Sequence, residues 1–137
     1  MRFSYAESMC DPAHYGPLAI ACDRAGYASF TVPDSVCYPK VSDSKYPYTP
    51  DGDRAFLEDK PFIEPFSLIP ALAAVTEKLR FTTFVVKLPV RHPVLVAKQA
   101  TSVAVLTTPL IARGRSIGIA SANVSLPEAG PSSTDIW

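Results

Sequence analysis

The stretch Arg80 to Thr107, RFTTFVVKLPVRHPVLVAKQATSVAVLT, constrains the fold more than any other part of the chain. Phe81 to Val86 is an apolar, β-branched run and reads as a buried strand. Lys87 to His92 is a turn region, broken by Pro89. Pro93 stands at an expected first helical position, where its missing N–H costs nothing. Pro93 to Leu106 then reads as a helix. Strand, loop and crossover helix together form the unit of a parallel α/β sheet.

Upstream, the same alternation occurs twice. A short first strand is expected over Arg2 to Tyr5, with Glu7 beyond its end. Two helix starts compete. Asp11-Pro12 offers an N-cap followed by a first-turn proline, and Gly16-Pro17 offers a second entry, because a proline deep in a helix is costly. Leu18, Ala19, Cys22 and Ala25 recur at helical spacing and should face the sheet, with Gly26 as the stop. Tyr27 to Val32 reads as the second strand, ending at Pro33-Asp34-Ser35. Helicity resumes near Pro65, with Phe66, Ile69, Leu72, Ala73, Thr76 and Leu79 on one face. Pro70 kinks that helix unless the helix begins near Ile69.

Between these elements lies an irregular segment, Val36 to Phe62, with Pro39, Pro47, Pro50 and Pro61. Its aromatics, Tyr38, Tyr46, Tyr48, Phe56 and Phe62, argue against free disorder. It is expected to be an ordered loop over the C-terminal end of the sheet; the alternative is a solvated excursion with no ligand role.

Composition narrows the function classes. Lys+Arg 13 and Asp+Glu 13 cancel, so no field draws the 137-residue chain to nucleic acid or to an anionic membrane. No apolar run reaches the roughly 18 residues of a membrane span. The N-terminus has no signal-peptide apolar core, which makes the cytoplasm the default. Cys10, Cys22 and Cys37 suit neither a disulfide framework nor zinc spacing, and read as buried or half-buried thiols. No glycine-rich nucleotide motif, P-loop or Ser/His/Asp order occurs, which disfavours Rossmann-type NAD binding, phosphoryl transfer and triad hydrolysis.

Parallel α/β folds bind ligands at the carboxyl ends of their strands. Three such ends carry candidate residues: Glu7 at the first, Asp34, Ser35 and Cys37 at the second, and Thr83 to Lys87 at the third. Glu7 is a general acid or base if buried, and otherwise a solvated carboxylate. Asp34 either meets a ligand or only bonds backbone amides in a Pro-Asp-Ser turn. His14 and His92 adjoin helix starts and suit capping better than metal ligation.

The segment Arg91-His92-Pro93-Val94-Leu95-Val96-Ala97-Lys98-Gln99, with the strand before it and the chain back to Met1, resembles the luciferase-like oxidoreductases. That family comprises FMN-dependent monooxygenases and F420-dependent oxidoreductases on a (β/α)8 barrel. The resemblance implies an α/β fold with about three N-terminal βα units of a TIM barrel over residues 1–107. It implies hydride transfer between reduced coenzyme F420 and an organic substrate, with FMN as the alternative cofactor. It makes Glu7 and Asp34 the catalytic candidates, and Asp34, Ser35, Thr83, Phe84, Val85 and Val86 the cofactor-binding ones. A non-prolyl cis peptide is implied between Thr83 and Phe84. Ser35 stands where related F420-dependent enzymes often have a histidine.

The resemblance stops at Thr107. Residues 108–137 are expected to form a divergent tail, disordered or out of frame, with a short strand at Ser116–Ala120. A complete barrel takes about 250 residues. The chain is therefore expected to be a truncated piece that binds cofactor weakly or not at all. Its expected partners are a small-molecule substrate and, through exposed sheet edges, a second copy in a homodimer. A silent remnant or partner-binding fragment is the non-enzymatic alternative.

Overall fold

The computed structural model describes residues 1–111. The expected strand at Ser116–Ala120 and the tail beyond Ile111 lie outside the described residues. The fold is mixed α/β: β1 (Ser4–Ala6), α1 (Pro12–Arg24), β2 (Ser29–Val32), α2 (Pro65–Ala74), β3 (Arg80–Thr83) and α3 (Pro93–Ile111). Short 3-10 turns occupy Ala55–Leu57 and Leu88–Val90. The strands form a parallel sheet in the order β1-β2-β3.

Each helix opens on a proline, Pro12, Pro65 or Pro93, where no intrahelical N–H is needed. Carboxylates cap the first two: Asp11 Oδ1 accepts from Ala13 N at 2.8 Å, and Glu64 Oε2 accepts from Ser67 N at 2.8 Å. The earlier of the two expected starts for α1 is thus the observed one, and Pro17 lies inside the helix. There it has no N–H to give to the Ala13 carbonyl, so α1 lacks one bond of its ladder. α2 likewise begins at Pro65 and carries Pro70 inside. Gly26, at φ +79°, ends α1 in the left-handed region as expected. Ala25 is the C-cap and is exposed, so it does not face the sheet.

Helix α2 stops earlier than its periodicity suggests. Thr76 and Leu79 are buried but lie beyond its end. Asp23 of α1 takes the backbone N–H groups of Glu77 and Lys78 at 2.7 and 2.9 Å, holding that turn outside the helix. An Asp23→Ala variant is expected to lose about 1–2 kcal/mol of stability, as for a lost helix cap. Urea denaturation measures this.

The two faces of the sheet differ. Tyr5, Phe30 and Phe81 pair in register and line the helix-covered face. Their rings lie 5.4 Å (Tyr5–Phe30) and 6.4 Å (Phe30–Phe81) apart. Tyr15, Ala19 and Cys22 of α1, and Leu68, Ile69, Leu72 and Ala73 of α2, close over them. The opposite face is small and polar, with hydroxyl pairs Ser4–Ser29 at 2.6 Å and Thr31–Thr82 at 2.7 Å. Helix α3 packs on α2 and contributes Val103 to the core. No described helix is long and apolar enough to cross a membrane.

Candidate active-site rim

The parallel register brings three strand ends side by side. Thr31 pairs with Ala6 on one side and Thr82 on the other, so Glu7, Pro33-Asp34 and Phe84-Val85 follow neighbouring strands at one end of the sheet. Backbone bonds continue past the strands: Glu7 N donates to Thr31 O at 3.1 Å, and Phe84 N to Val32 O at 3.0 Å.

β3 is shorter than its apolar run suggests. It ends at Thr83, and a cis peptide joins Phe84 to Val85, one bond later than the resemblance implies. Phe84 and Val85 are not buried strand residues; they are 74% and 57% exposed. The chain leaves the sheet here before turning into Leu88–Val90.

Asp34 is 6% exposed, and both its oxygens are engaged. Oδ1 pairs with Arg91 Nη2 at 2.6 Å, and Oδ2 accepts from Lys87 N at 2.9 Å. Arg91 also reaches Glu64 Oε1 at 3.5 Å. One guanidinium therefore ties the end of β2, the cap of α2 and the turn after β3 together. Arg91 Nε is buried without a hydrogen-bond partner among the described residues. Ser35 Oγ lies 3.5 Å from Lys87 Nζ.

Glu7 sits in a different setting. Its Oε2 accepts from Tyr5 Oη at 2.7 Å and its Oε1 from Ser8 N at 2.9 Å. That hydrogen bond, with burial and the Glu7 charge, pushes the Tyr5 phenol up to about 12. Burial, with Cys10 and Glu7 nearby, pushes Tyr15 up to about 12 as well. The Tyr15 hydroxyl is buried with no hydrogen-bond partner among the described residues. Cys10 is pushed up by burial and then by Glu7.

Both tyrosines bind their protons more tightly folded than unfolded. They therefore favour the fold below about pH 10, and that preference fades as pH rises from about 10 to about 12. Glu7→Gln removes the charge and should bring Tyr5 down toward the ordinary tyrosine value. A pH titration of tyrosine ring carbon shifts by NMR checks this; a Tyr5 that stays raised would show that Glu7 is not the cause.

The loop from Val36 to Phe62 is built on its own contacts. Tyr46 packs edge-on against Phe56 at 5.1 Å and Tyr48 at 5.6 Å. Arg54 Nη2 donates to Pro39 O at 3.1 Å and lies 5.5 Å from the Tyr38 ring centre. Tyr46 N bonds Gly52 O at 2.8 Å, and Gly52, at φ +80°, leaves room for the Lys45 side chain. Loop residues and the strand-end residues Ser35 and Lys87 line an open cavity of about 680 Å³. Cys37 is exposed rather than half-buried and lines it, while Cys10 is half-buried and Cys22 buried. His14 and His92 are both exposed. Sequence reasoning missed Arg91 as the partner of Asp34, and the cations around the cavity; neither leaves a local signal.

The sequence model of the luciferase-like monooxygenase family matches residues 4–109. The chain belongs to this family. It is 64% identical over 106 residues to uncharacterized proteins of Mycobacterium bovis and Mycobacterium tuberculosis. That match takes in 77% of this chain and 37% of theirs, so the chain spans little more than a third of these curated relatives. A crystal structure of a riboflavin lyase with modified FMN and riboflavin superposes with a TM-score of 0.54 at 19% identity. The superposition covers 87% of this chain and 29% of the lyase, and it bears on the fold alone. Family members are typically oxidoreductases that use flavin or F420.

Proposed function

We propose that the chain forms about three N-terminal βα units of a (β/α)8 barrel, and that its strand-end rim faces a flavin-type redox cofactor in an oxidoreductase. The supporting observation is that Glu7, Asp34 and Phe84-Val85 follow the ends of neighbouring parallel strands. The cofactor in the first reading is coenzyme F420. The FMN in the riboflavin lyase structure favours FMN as the second.

The residues fit a planar, largely apolar ring. Phe84 and Val85 present exposed apolar surface on the rim, and Thr83 and Val86 flank them. When bound, such a cofactor supplies the hydride exchanged with the substrate. In this reading Glu7 is the residue that would hold or pass a proton, and the hydrogen bond it accepts from Tyr5 Oη fixes one of its oxygens. Asp34 is a positioning residue in this scheme, since Arg91 and the Lys87 amide occupy its oxygens. Ser35 is the polar contact nearest to Lys87 on that side. The outer edges of β1 and β3 have no strand partner among the described residues and are the surfaces through which two copies would pair.

Fluorescence titration of the full chain with F420 and with FMN tests the reading, with light scattering recording the oligomeric state. Weak but saturable F420 binding, lost in Phe84→Asp, is the expected result. Saturation by FMN alone moves the assignment to a flavin monooxygenase. A flat response to both cofactors defeats the proposal.

A further inference from the structure

We propose that the cavity beneath the Val36–Phe62 loop receives the acid group of the substrate, so that the substrate is an organic anion, a carboxylate or a phosphate. The substrate part of this inference rests on the rim being the reaction site, as read above. The anion preference of the cavity stands on separate observations.

The first is charge. Lys40, Arg54, Lys60 and Lys87 line the cavity, against Glu58 and Asp59. Among the described residues none of these six makes an ion pair; the ion pairs are those of Arg91 with Asp34 and Glu64. In a chain with no net charge, four cations thus face two carboxylates around one concave place, an excess of positive charge. The lining is largely exposed, so this excess attracts anions through solvent and is felt most at low ionic strength.

The second is construction. Arg54 is held by the Pro39 carbonyl and lies against the Tyr38 ring, so its cation is fixed at the wall. Tyr46 packs edge-on against the exposed rings of Tyr48 and Phe56 and ties two parts of the loop together. At about 680 Å³ the space suits a small organic molecule rather than a bare ion. Tyr38, Tyr46 and Phe62 in its lining suit an apolar body behind the acid group.

The third is continuity. Ser35 follows Asp34 directly, and Lys87 donates its backbone N–H to Asp34. Both residues also line the cavity. A ligand anchored there by its acid group therefore extends to the rim.

The test uses the full chain at low ionic strength and calorimetric titration with inorganic phosphate, benzoate and neutral benzamide. Phosphate or benzoate is expected to bind saturably and benzamide much more weakly. The triple variant Lys40→Gln, Lys60→Gln and Lys87→Gln is expected to bind the preferred anion about tenfold more weakly or worse. These lysines are exposed, and circular dichroism confirms that the variant stays folded. A preference for benzoate identifies a carboxylate substrate, and a preference for phosphate a phosphorylated one. Equal binding of benzamide, no binding of either anion, or an unchanged triple variant overturns the proposal. Parallel titration with F420 and FMN separates the two readings. Cofactor binding without anion binding removes only the acid-group site. Lysine-dependent anion binding without cofactor binding keeps the anion site and removes its assignment to the substrate of this reaction.

Discussion

Replacing Arg91 with alanine is expected to destabilise the fold by about 3–5 kcal/mol, the usual consequence of stripping one partner from a buried ion pair. The Asp34 side chain is 1% exposed and that of Arg91 16%, with 2.6 Å between the paired atoms. Without the guanidinium, Asp34 would keep only the Lys87 N–H, an insufficient replacement for water. The second pair, to Glu64 at 3.5 Å, adds little because that carboxylate is 34% exposed. One term works the other way. Arg91 Nε is already buried without an acceptor, and its removal relieves that unmade bond. The expected loss therefore lies toward the lower end, about 3 kcal/mol. Asp34→Asn should cost less, because the guanidinium left behind retains some contact with water and with Glu64. Urea unfolding of both variants decides the matter. An Arg91→Ala midpoint close to that of the unaltered chain would show that the pair is solvated and does not organise the rim.

What the sequence revealed and what it hid divide by range. Pro12, Pro65, Pro93 and Gly26 mark helix ends through rules that act within one turn, and those ends are legible. The end of α2 is not legible. It is set by Asp23, whose carboxylate meets the Glu77 and Lys78 amides across more than fifty intervening residues. The Asp34–Arg91 pair is hidden for the same reason, its members being 57 positions apart. Asp34 was recognisable as a carboxylate at a strand end, but only the fold reveals that both its oxygens are engaged. Phe81 to Val86 misleads in another way. Its composition is that of a buried strand, yet Phe84 and Val85 emerge on the rim because the sheet ends at Thr83. The order of the long loop could be read from its tyrosines. The meeting of Lys40, Lys60 and Lys87 around one space could not, since nothing local relates their positions.

Phe30→Ala is expected to remove about 3–5 kcal/mol, the range for truncating a buried aromatic ring. Phe30 is 0% exposed, sits on the central strand, and touches the rings of Tyr5, Tyr15 and Phe81 at 5.4, 6.5 and 6.4 Å. No neighbour can easily close the gap, because Tyr5 and Phe81 are fixed by the strand register on either side. A loss of that size is a large share of the 5–15 kcal/mol typical of a domain. Thr82→Val provides the contrast. It lies on the opposite face, half-buried, where its hydroxyl bonds Thr31 at 2.7 Å. Its loss should be about 1 kcal/mol, the net worth of one hydrogen bond. The comparison tests the two-faced sheet itself, with one side holding the core and the other left polar beside the rim. If Thr82→Val lowers the unfolding midpoint as far as Phe30→Ala does, the polar face is as structural as the aromatic one, and the separation of core from candidate site fails.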